Sequence, residues 1–306
     1  MSGLRAILVG AVESSEVALA PFTRNPDWTL AAVVTLNGER SGRHSDFVDL
    51  EPAAARMGAP VIRVDNVNQD ASLAAIDAIG ADYIFVVGWS QICGPRFLDL
   101  APGRVIGYHP AALPRMRGRA AIPWTILNQE AITAGSLFWI DGGTDTGDLL
   151  DQHYFHVSPG ETAASLYAKH MEALVAMLER SLVLLARGEA PRRRQDEACA
   201  TLCARRTPAD GRIDWSVPAD DVLRLVRAVG RPYPGASTNI GSTPLTIWAA
   251  APAPDAHRHV ASPGQVVAVD ADSFVVMCGA RSAITVNEWS GSERRPPLHA
   301  VLGRDA

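Results

Sequence analysis

The sequence predicts an α/β fold, a doubly wound parallel sheet followed by a smaller β-barrel-like domain. Three observations predict it. Short, continuous apolar runs alternate with helix-like stretches as far as Ile140. One long helix pattern follows, and beyond it the chain breaks into short β-like runs separated by turn residues. The length of 306 residues suits about two domains.

The elements follow in order. Leu4 to Val9 is a continuous apolar run, as in a strand buried on both faces. A helix-like stretch covers 14–24, and a second apolar strand runs from Leu30 to Thr35. Residues 36–46 are polar and contain glycine, which predicts a loop. A helix near 47–58 leads to a strand at Pro60–Val64, and a helix near 70–79 leads to the very apolar strand Tyr83–Val87. Arg104–Tyr108 is a strand that ends directly at His109. Ser136–Ile140 is another, ending at Asp141-Gly-Gly-Thr-Asp-Thr-Gly-Asp148. Two polar turns therefore fall at strand ends, where a Rossmann-like sheet places its ligands. Ser158-Pro-Gly-Glu161 predicts a helix start, and Leu166, Leu174, Leu178, Leu182 and Leu185 keep helical spacing up to Gly188.

Residues 189–206 are basic and polar and read as a linker. A short helix over 218–229 and the runs Leu245–Ala249, Gln265–Val269, Phe274–Cys278 and Ala283–Trp289 then suggest a small antiparallel barrel. The expected organisation is a Rossmann-like domain over 1–188, the linker, and an OB-like domain over 207–306.

Composition narrows the function classes. Apolar residues make up 47% and charged residues 20% of the chain, ordinary values for a globular protein. A net charge of −5 gives no global attraction to nucleic acid or to an acidic membrane. Lys169 is the single lysine. Cys93, Cys199, Cys203 and Cys278 include no CxxC pair, so no zinc knuckle is predicted, and no metal site is expected. Reduced thiols suit a cytoplasmic protein. The apolar run after Arg5 stops at Glu13 with no cleavage-like region, and no stretch is long enough to span a bilayer.

The informative stretch is His109-Pro-Ala-Ala-Leu-Pro-Arg-Met-Arg-Gly-Arg119, with Asp145-Thr-Gly-Asp148 thirty-six residues after the histidine. A histidine, a short loop, Leu-Pro, Arg-Gly and a later Asp-x-Gly turn resemble the folate-dependent formyltransferases. That family includes methionyl-tRNA formyltransferase and the enzymes that N-formylate amino sugars on nucleotide carriers. The resemblance covers nearly the whole chain, including Asp210-Gly-Arg-Ile-Asp-Trp215 at the start of the C-terminal domain. It implies 10-formyltetrahydrofolate as cosubstrate, a primary amine as acceptor, and a homodimer as the assembly.

The chemistry explains the residue types. An amine attacking a formyl carbon must lose a proton, and the tetrahedral oxyanion needs a donor. Imidazole handles protons near neutral pH. A nearby carboxylate favours its charged form. His109 and Asp145 are therefore the expected catalytic pair. By resemblance, Gly88, Trp89, Ser90, Gln91 and Ile92 hold one side of the cosubstrate, and Asp141, Gly142, Gly143 and Thr144 cover the other. Arg117 and Arg119 are the expected acceptor-binding residues, their planar forks suiting phosphate or carboxylate.

One position departs from the family pattern. Where an asparagine usually stands two residues before the histidine, this chain has Gly107. Either another group (Gln91, Ser90 or a backbone N–H) replaces the missing amide, or a relocated donor serves a different acceptor, or formyl transfer is lost and the protein only binds folate. Replacement is the favoured expectation.

Among acceptors, an amino sugar on a nucleotide is favoured over Met-tRNA. Residues 205–306 carry 11 Arg and 10 acidic residues, a net of +1, and the remainder carries 17 − 23 = −6. A tRNA-binding surface should be more basic. A nicotinamide enzyme is disfavoured because Gly10-Ala-Val-Glu-Ser-Ser15 contains no GxGxxG.

Overall fold

The computed structural model describes residues 3–38, 47–292 and 294–304. Two compact units emerge. The first comprises Met1–Ala121, Ile132–His156 and Tyr167–Ala204; the second comprises Ile122–Ala131, Val157–Leu166 and Arg205–Ala306. In chain order the elements up to the last strand of the first unit are β1 (Leu4–Val9), α1 (Glu13–Val17), α2 (Ala20–Arg24), β2 (Trp28–Leu36), α3 (Glu51–Arg56), β3 (Val61–Val64), α4 (Asp70–Asp77), β4 (Tyr83–Val86), α5 (Pro95–Leu98), β5 (Val105–His109), β6 (Arg117–Gly118), α6 (Ala121–Leu127), β7 (Ile132–Trp139), β8 (Leu149–His156), α7 (Ala163–Ala186) and β9 (Leu202–Cys203).

The first unit is built on a seven-stranded sheet in the order β3-β2-β1-β4-β5-β7-β8. The five strands from β3 to β5 are parallel, and β7 and β8 add antiparallel to β5 and to each other. The sheet is thus mixed, with the parallel part where the sequence pattern predicts it. Both faces of the central strands are buried. Ala6, Leu8, Val33 and Phe85 face one core with Leu174, Leu178 and Leu182 of α7. Ile7, Val9, Val34 and Ile84 face the other with Leu73, Ile76 and Phe97. Burial on both sides is why these strands read as unbroken apolar runs. Each buried leucine contributes about 1.5–3 kcal/mol relative to exposure. Phe22 and Trp28 meet Phe85 edge-on, with ring centres 5.2 and 5.9 Å apart.

Several expected elements are shifted. The helix expected over 14–24 is two short helices, because Pro21 has no N–H to continue the first into the second. The helix expected near 47–58 begins only at Glu51, with Pro52 in its first turn. The loop expected over 36–46 lies, from residue 39 onward, outside the described residues. α7 begins at Ala163, not near Ser158: Thr162 and Ser165 cap each other reciprocally, N–H to Oγ, at 3.0 and 3.1 Å. The Glu161 carboxylate still accepts from the Ser158 N–H at 3.0 Å, but within a turn that precedes the helix. β8 has no counterpart among the expected strands, since Asp151, Gln152 and His153 interrupt the apolar pattern of an edge strand. Residues 193–203, expected to be part of a linker, form backbone pairs within the first unit, including β9 beside β6.

The second unit carries α8 (Ala219–Val229) and the strands β10 (Ala236–Ile240), β11 (Thr243–Pro252), β12 (Val266–Val269), β13 (Phe274–Met277) and β14 (Ala283–Ser290). They form an antiparallel sheet ordered β10-β11-β14-β13-β12. Leu302 bridges to Ile240 and Val301 to Gln265, so the chain's end links the two edge regions as barrel closure requires. Val222, Leu223, Val226 and Val229 make the buried stripe of α8. The Asp210–Trp215 motif seeds this unit: Asp210 accepts from Thr207, Ile213 N–H bonds to Ser237, and the Trp215 indole donates to Thr238 Oγ1 at 3.0 Å. Trp124 lies under the Arg206 guanidinium at 4.9 Å.

Candidate active site

His109 is the last residue of β5, in the middle of the sheet, and is 5% exposed. Its Nε2 lies 2.7 Å from the Met116 carbonyl, which only a protonated nitrogen can satisfy. The carbonyl therefore fixes the neutral ring with its proton on Nε2 and the lone pair on Nδ1. Nδ1 in turn lies 3.5 Å from Asp145 Oδ2. A proton placed on Nδ1 would therefore face the Asp145 carboxylate.

The loop after His109 is braced from β7 and β8. Ser136, directly opposite His109 in register, donates through Oγ to the Ala111 carbonyl at 2.7 Å and accepts from Leu113 N–H at 3.3 Å. Gln152 donates to the Leu113 carbonyl at 2.8 Å. Asp145 is tied on the other side, where its Oδ2 accepts from the Gly118 N–H at 2.8 Å. Its backbone has φ 53°, a left-handed conformation that costs a non-glycine residue about 1–2 kcal/mol.

The turn that carries Asp145 is self-organised. Asp141 Oδ1 accepts from Gly143 N–H at 3.0 Å and from Thr146 Oγ1 at 2.6 Å. A Cβ on Gly147 would lie 1.7 Å from the Trp139 carbonyl oxygen, so only glycine fits there. Asp141, Gly142, Gly143 and Thr144 are all exposed.

The 88–92 loop sits at the end of β4. Gly88 has φ 64°, and a Cβ on it would lie 2.2 Å from Val12 Cγ2. Trp89 is half-buried and packs on the Ile7–Val105 core, its indole N–H buried without a partner among the described residues. Ile92 is 80% exposed. Gln91 is held at both ends: its amide donates to the Asp65 carbonyl at 2.8 Å and accepts from Val67 N–H at 3.1 Å. Gln91 is therefore held toward the β3 side, with one of its two amide N–H groups used there.

Arg119, just after β6, is exposed and reaches the Ser90 carbonyl at 3.0 Å, which brings the 88–92 loop beside it. Arg117, expected to face an acceptor, is 3% exposed and uses its guanidinium internally. It makes a two-point pair with Glu197 at 2.7 and 2.9 Å and donates to Gln195 Oε1 at 2.8 and 3.1 Å. The Glu197 hydrogen bond raises its pKa, and the charges of Glu197, Asp145 and Asp141 add to that.

The volume beside Gly107 is filled. A Cβ there would lie 2.8 Å from the Phe138 ring and 3.0 Å from Ile140 Cγ1. Gly107 and His109 share a face of β5, and Phe138 stands opposite Gly107 in register. Apolar atoms thus occupy the place of a side-chain donor.

The Formyl transferase family model matches residues 23–182, more than half of the chain, and its C-terminal domain model matches residues 205–296. The chain belongs to the formyl transferase family. Solved structures agree with the chain in fold. HypX from Aquifex aeolicus in complex with tetrahydrofolic acid aligns at TM-score 0.69 and 17% identity, over 95% of this chain and 45% of that one. The chain thus spans under half the length of the HypX chains it matches. WlaRD, a sugar 3N-formyl transferase solved in the presence of dTDP and 5-N-formyl-THF, aligns at 0.66 and 16% identity over 93% of this chain and 97% of that one. The N-formyltransferase from Helicobacter canadensis in complex with folinic acid and dTDP-3-aminofucose aligns at 0.64 and 16% identity over 93% and 99%.

Sequence reasoning did not single out Met116, Ser136, Gln152 or Gln195, which hold the two central side chains. Met116 and Ser136 act through single atoms that no pattern announces. Gln195 lies in a polar stretch with no apolar period. Among the described residues, no group of three or more His, Cys, Asp or Glu is placed to hold a metal ion, and no helix is long and apolar enough to cross a membrane.

Proposed function

We propose that this formyltransferase moves the formyl group of 10-formyltetrahydrofolate onto the primary amine of a small molecule, in the first instance an amino sugar on a nucleotide carrier. The observation that carries the reading is the His109 Nδ1–Asp145 Oδ2 contact at the carboxyl end of β5. The amine lone pair attacks the formyl carbon, and the carbonyl π pair moves to oxygen. His109 Nδ1 takes the proton shed by the amine nitrogen, and Asp145 stabilises the imidazolium that results. Collapse of the intermediate breaks the bond to the folate nitrogen, which receives the proton. The products are the formamide and tetrahydrofolate.

With Gly107 walled by Phe138 and the His109 Nε2–H given to Met116, the donor to the oxyanion is the Nδ1–H of the imidazolium, the second N–H of Gln91 or a backbone N–H of the surrounding loops. The 88–92 and 141–144 loops hold the folate on its two sides, and Arg119 faces the acceptor. Arg117 supports the loop from behind. The sugar-nucleotide preference is supported by the two sugar formyltransferases, which match this chain along nearly their whole length. The near-neutral stretch 205–306, with its net of +1, supports a small acceptor over tRNA.

The test is acceptor-dependent release of tetrahydrofolate from 10-formyltetrahydrofolate, with amino-sugar nucleotides, amino acids and Met-tRNA as candidate amines. Release with an amino-sugar nucleotide supports the reading. Release with Met-tRNA alone replaces the acceptor class, and folate binding without release to any amine contradicts formyl transfer.

A further inference from the structure

Two residues that meet at the His109–Asp145 pair are non-glycines in the left-handed conformation: Met116, whose carbonyl holds His109, has φ 60°, and Asp145 has φ 53°. Both are tied to the same segment. Gln195 donates through Nε2 to the Asp145 carbonyl at 2.8 Å and to the Gly147 carbonyl at 2.7 Å. Thr201 Oγ1 accepts from the Met116 N–H at 2.8 Å. The segment is anchored at several points. Arg193 pairs with Leu149 by two backbone bonds, Arg117 N–H donates to the Thr201 carbonyl, and β9 runs parallel to β6. Gln195 is 4% exposed and has its amide oxygen filled by Arg117. Every polar atom of that side chain is therefore engaged in holding the site.

We infer that residues 193–203 are a strap that sets the catalytic pair, with Gln195 positioning Asp145 and Thr201 positioning His109 through Met116. Neither touches a reacting atom. Gln195 holds the strained backbone from which the Asp145 carboxylate projects. Thr201 Oγ1 holds the Met116 N–H, and the Thr201 carbonyl holds the Arg117 N–H of the peptide whose carbonyl selects the Nε2–H tautomer of His109 and leaves Nδ1 as the base. Release of either contact lets a side chain drift, and a displacement of about 1 Å is enough to cost on the order of a hundredfold in rate.

The kinetic part of this inference rests on the formyl-transfer reading; the structural part does not. Gln195→Glu keeps the acceptor for Arg117 but replaces the donor to the Asp145 and Gly147 carbonyls with an oxygen. Thr201→Val removes the acceptor for Met116 at constant shape, and Thr201→Ser retains it. The expected result is a 10- to 100-fold lower kcat in Gln195→Glu and Thr201→Val, with KM for folate and amine within about threefold of wild type. Thr201→Ser should keep wild-type turnover, and all variants should show cooperative melting. The His109 tautomer is read in parallel, by long-range ¹H–¹⁵N NMR on protein without folate or amine. Wild type should give the single Nε2–H pattern and Thr201→Val a mixture. A shift in the tautomer with no turnover in wild type would uphold the strap and defeat the formyl-transfer reading. Unchanged kcat and an unchanged tautomer in folded Gln195→Glu and Thr201→Val would overturn the strap.

Discussion

Phe138 stands directly across the β5–β7 pair from Gly107, and its ring lies 2.8 Å from where a side chain at 107 would begin. The glycine and the aromatic ring are one packing unit, in which the ring covers the strand where the glycine leaves it bare. Gly107→Asn should therefore not simply restore an amide to the site. The crowding should destabilise the protein by about 1–3 kcal/mol. Phe138→Ala alone should cost about 3–5 kcal/mol. The double variant should cost less than the sum by at least about 1 kcal/mol, as read from urea melts in a double-mutant cycle. Additive costs would mean that Phe138 is not what fills the space.

Burial lowers the His170 pKa from 6.5 to about 3, with the nearby His109 charge adding a smaller push in the same direction. Tyr108 donates through its hydroxyl to the His170 carbonyl, and the His170 Nδ1 lies 3.1 Å from the same hydroxyl. Among the described residues, His170 Nε2 has no partner. The ring is neutral in the folded state, whereas the unfolded chain protonates it below pH 6.5. Its full contribution is present above pH 6.5 and is lost as pH falls toward 3, by about 1.4 kcal/mol per pH unit. Chemical denaturation of wild type and His170→Gln at pH 7 and pH 4.5 should show wild type losing about 2–3 kcal/mol more than the variant. Equal losses would place the titration elsewhere.

Arg117 makes a different prediction from an acceptor-binding arginine. Arg117→Met leaves the buried Gln195 Oε1 without a donor and should lower stability by about 1–3 kcal/mol. KM for the amine should stay within about threefold of wild type. Glu197 is 62% exposed, so Glu197→Gln should change stability by less than about 1 kcal/mol. A large rise in amine KM in Arg117→Met, at unchanged stability, would return Arg117 to the acceptor site.

Gly147→Ala should unseat the Asp145 turn, since its Cβ would overlap the Trp139 carbonyl. Loss of cooperative melting, or a crystal structure with the 141–148 turn displaced, is the expected outcome. A variant with wild-type melting and turnover would show that the turn tolerates a side chain.

The sequence made the central strands legible because β1, β2, β4 and β5 are buried on both faces and so carry unbroken apolar runs. β8 was hidden because an edge strand with Asp151 and Gln152 keeps no such run. His109 and Asp145 were legible as residue types at strand ends, but their contact depends on β7 running antiparallel to β5, which thirty-six residues of spacing do not state. The 193–203 segment looked like a linker because its order comes from polar contacts to distant residues, and periodicity registers only apolar ones. The same limit applied to Arg117, whose fork suggested phosphate until its partners Gln195 and Glu197 were located.

The most direct measurement is kcat for tetrahydrofolate release in Asp145→Asn and His109→Asn, at saturating folate and amine. The account predicts losses of about 10²- to 10⁴-fold in both, with folate affinity retained. Turnover within threefold of wild type in either folded variant would contradict the assignment of this pair as the centre of the reaction.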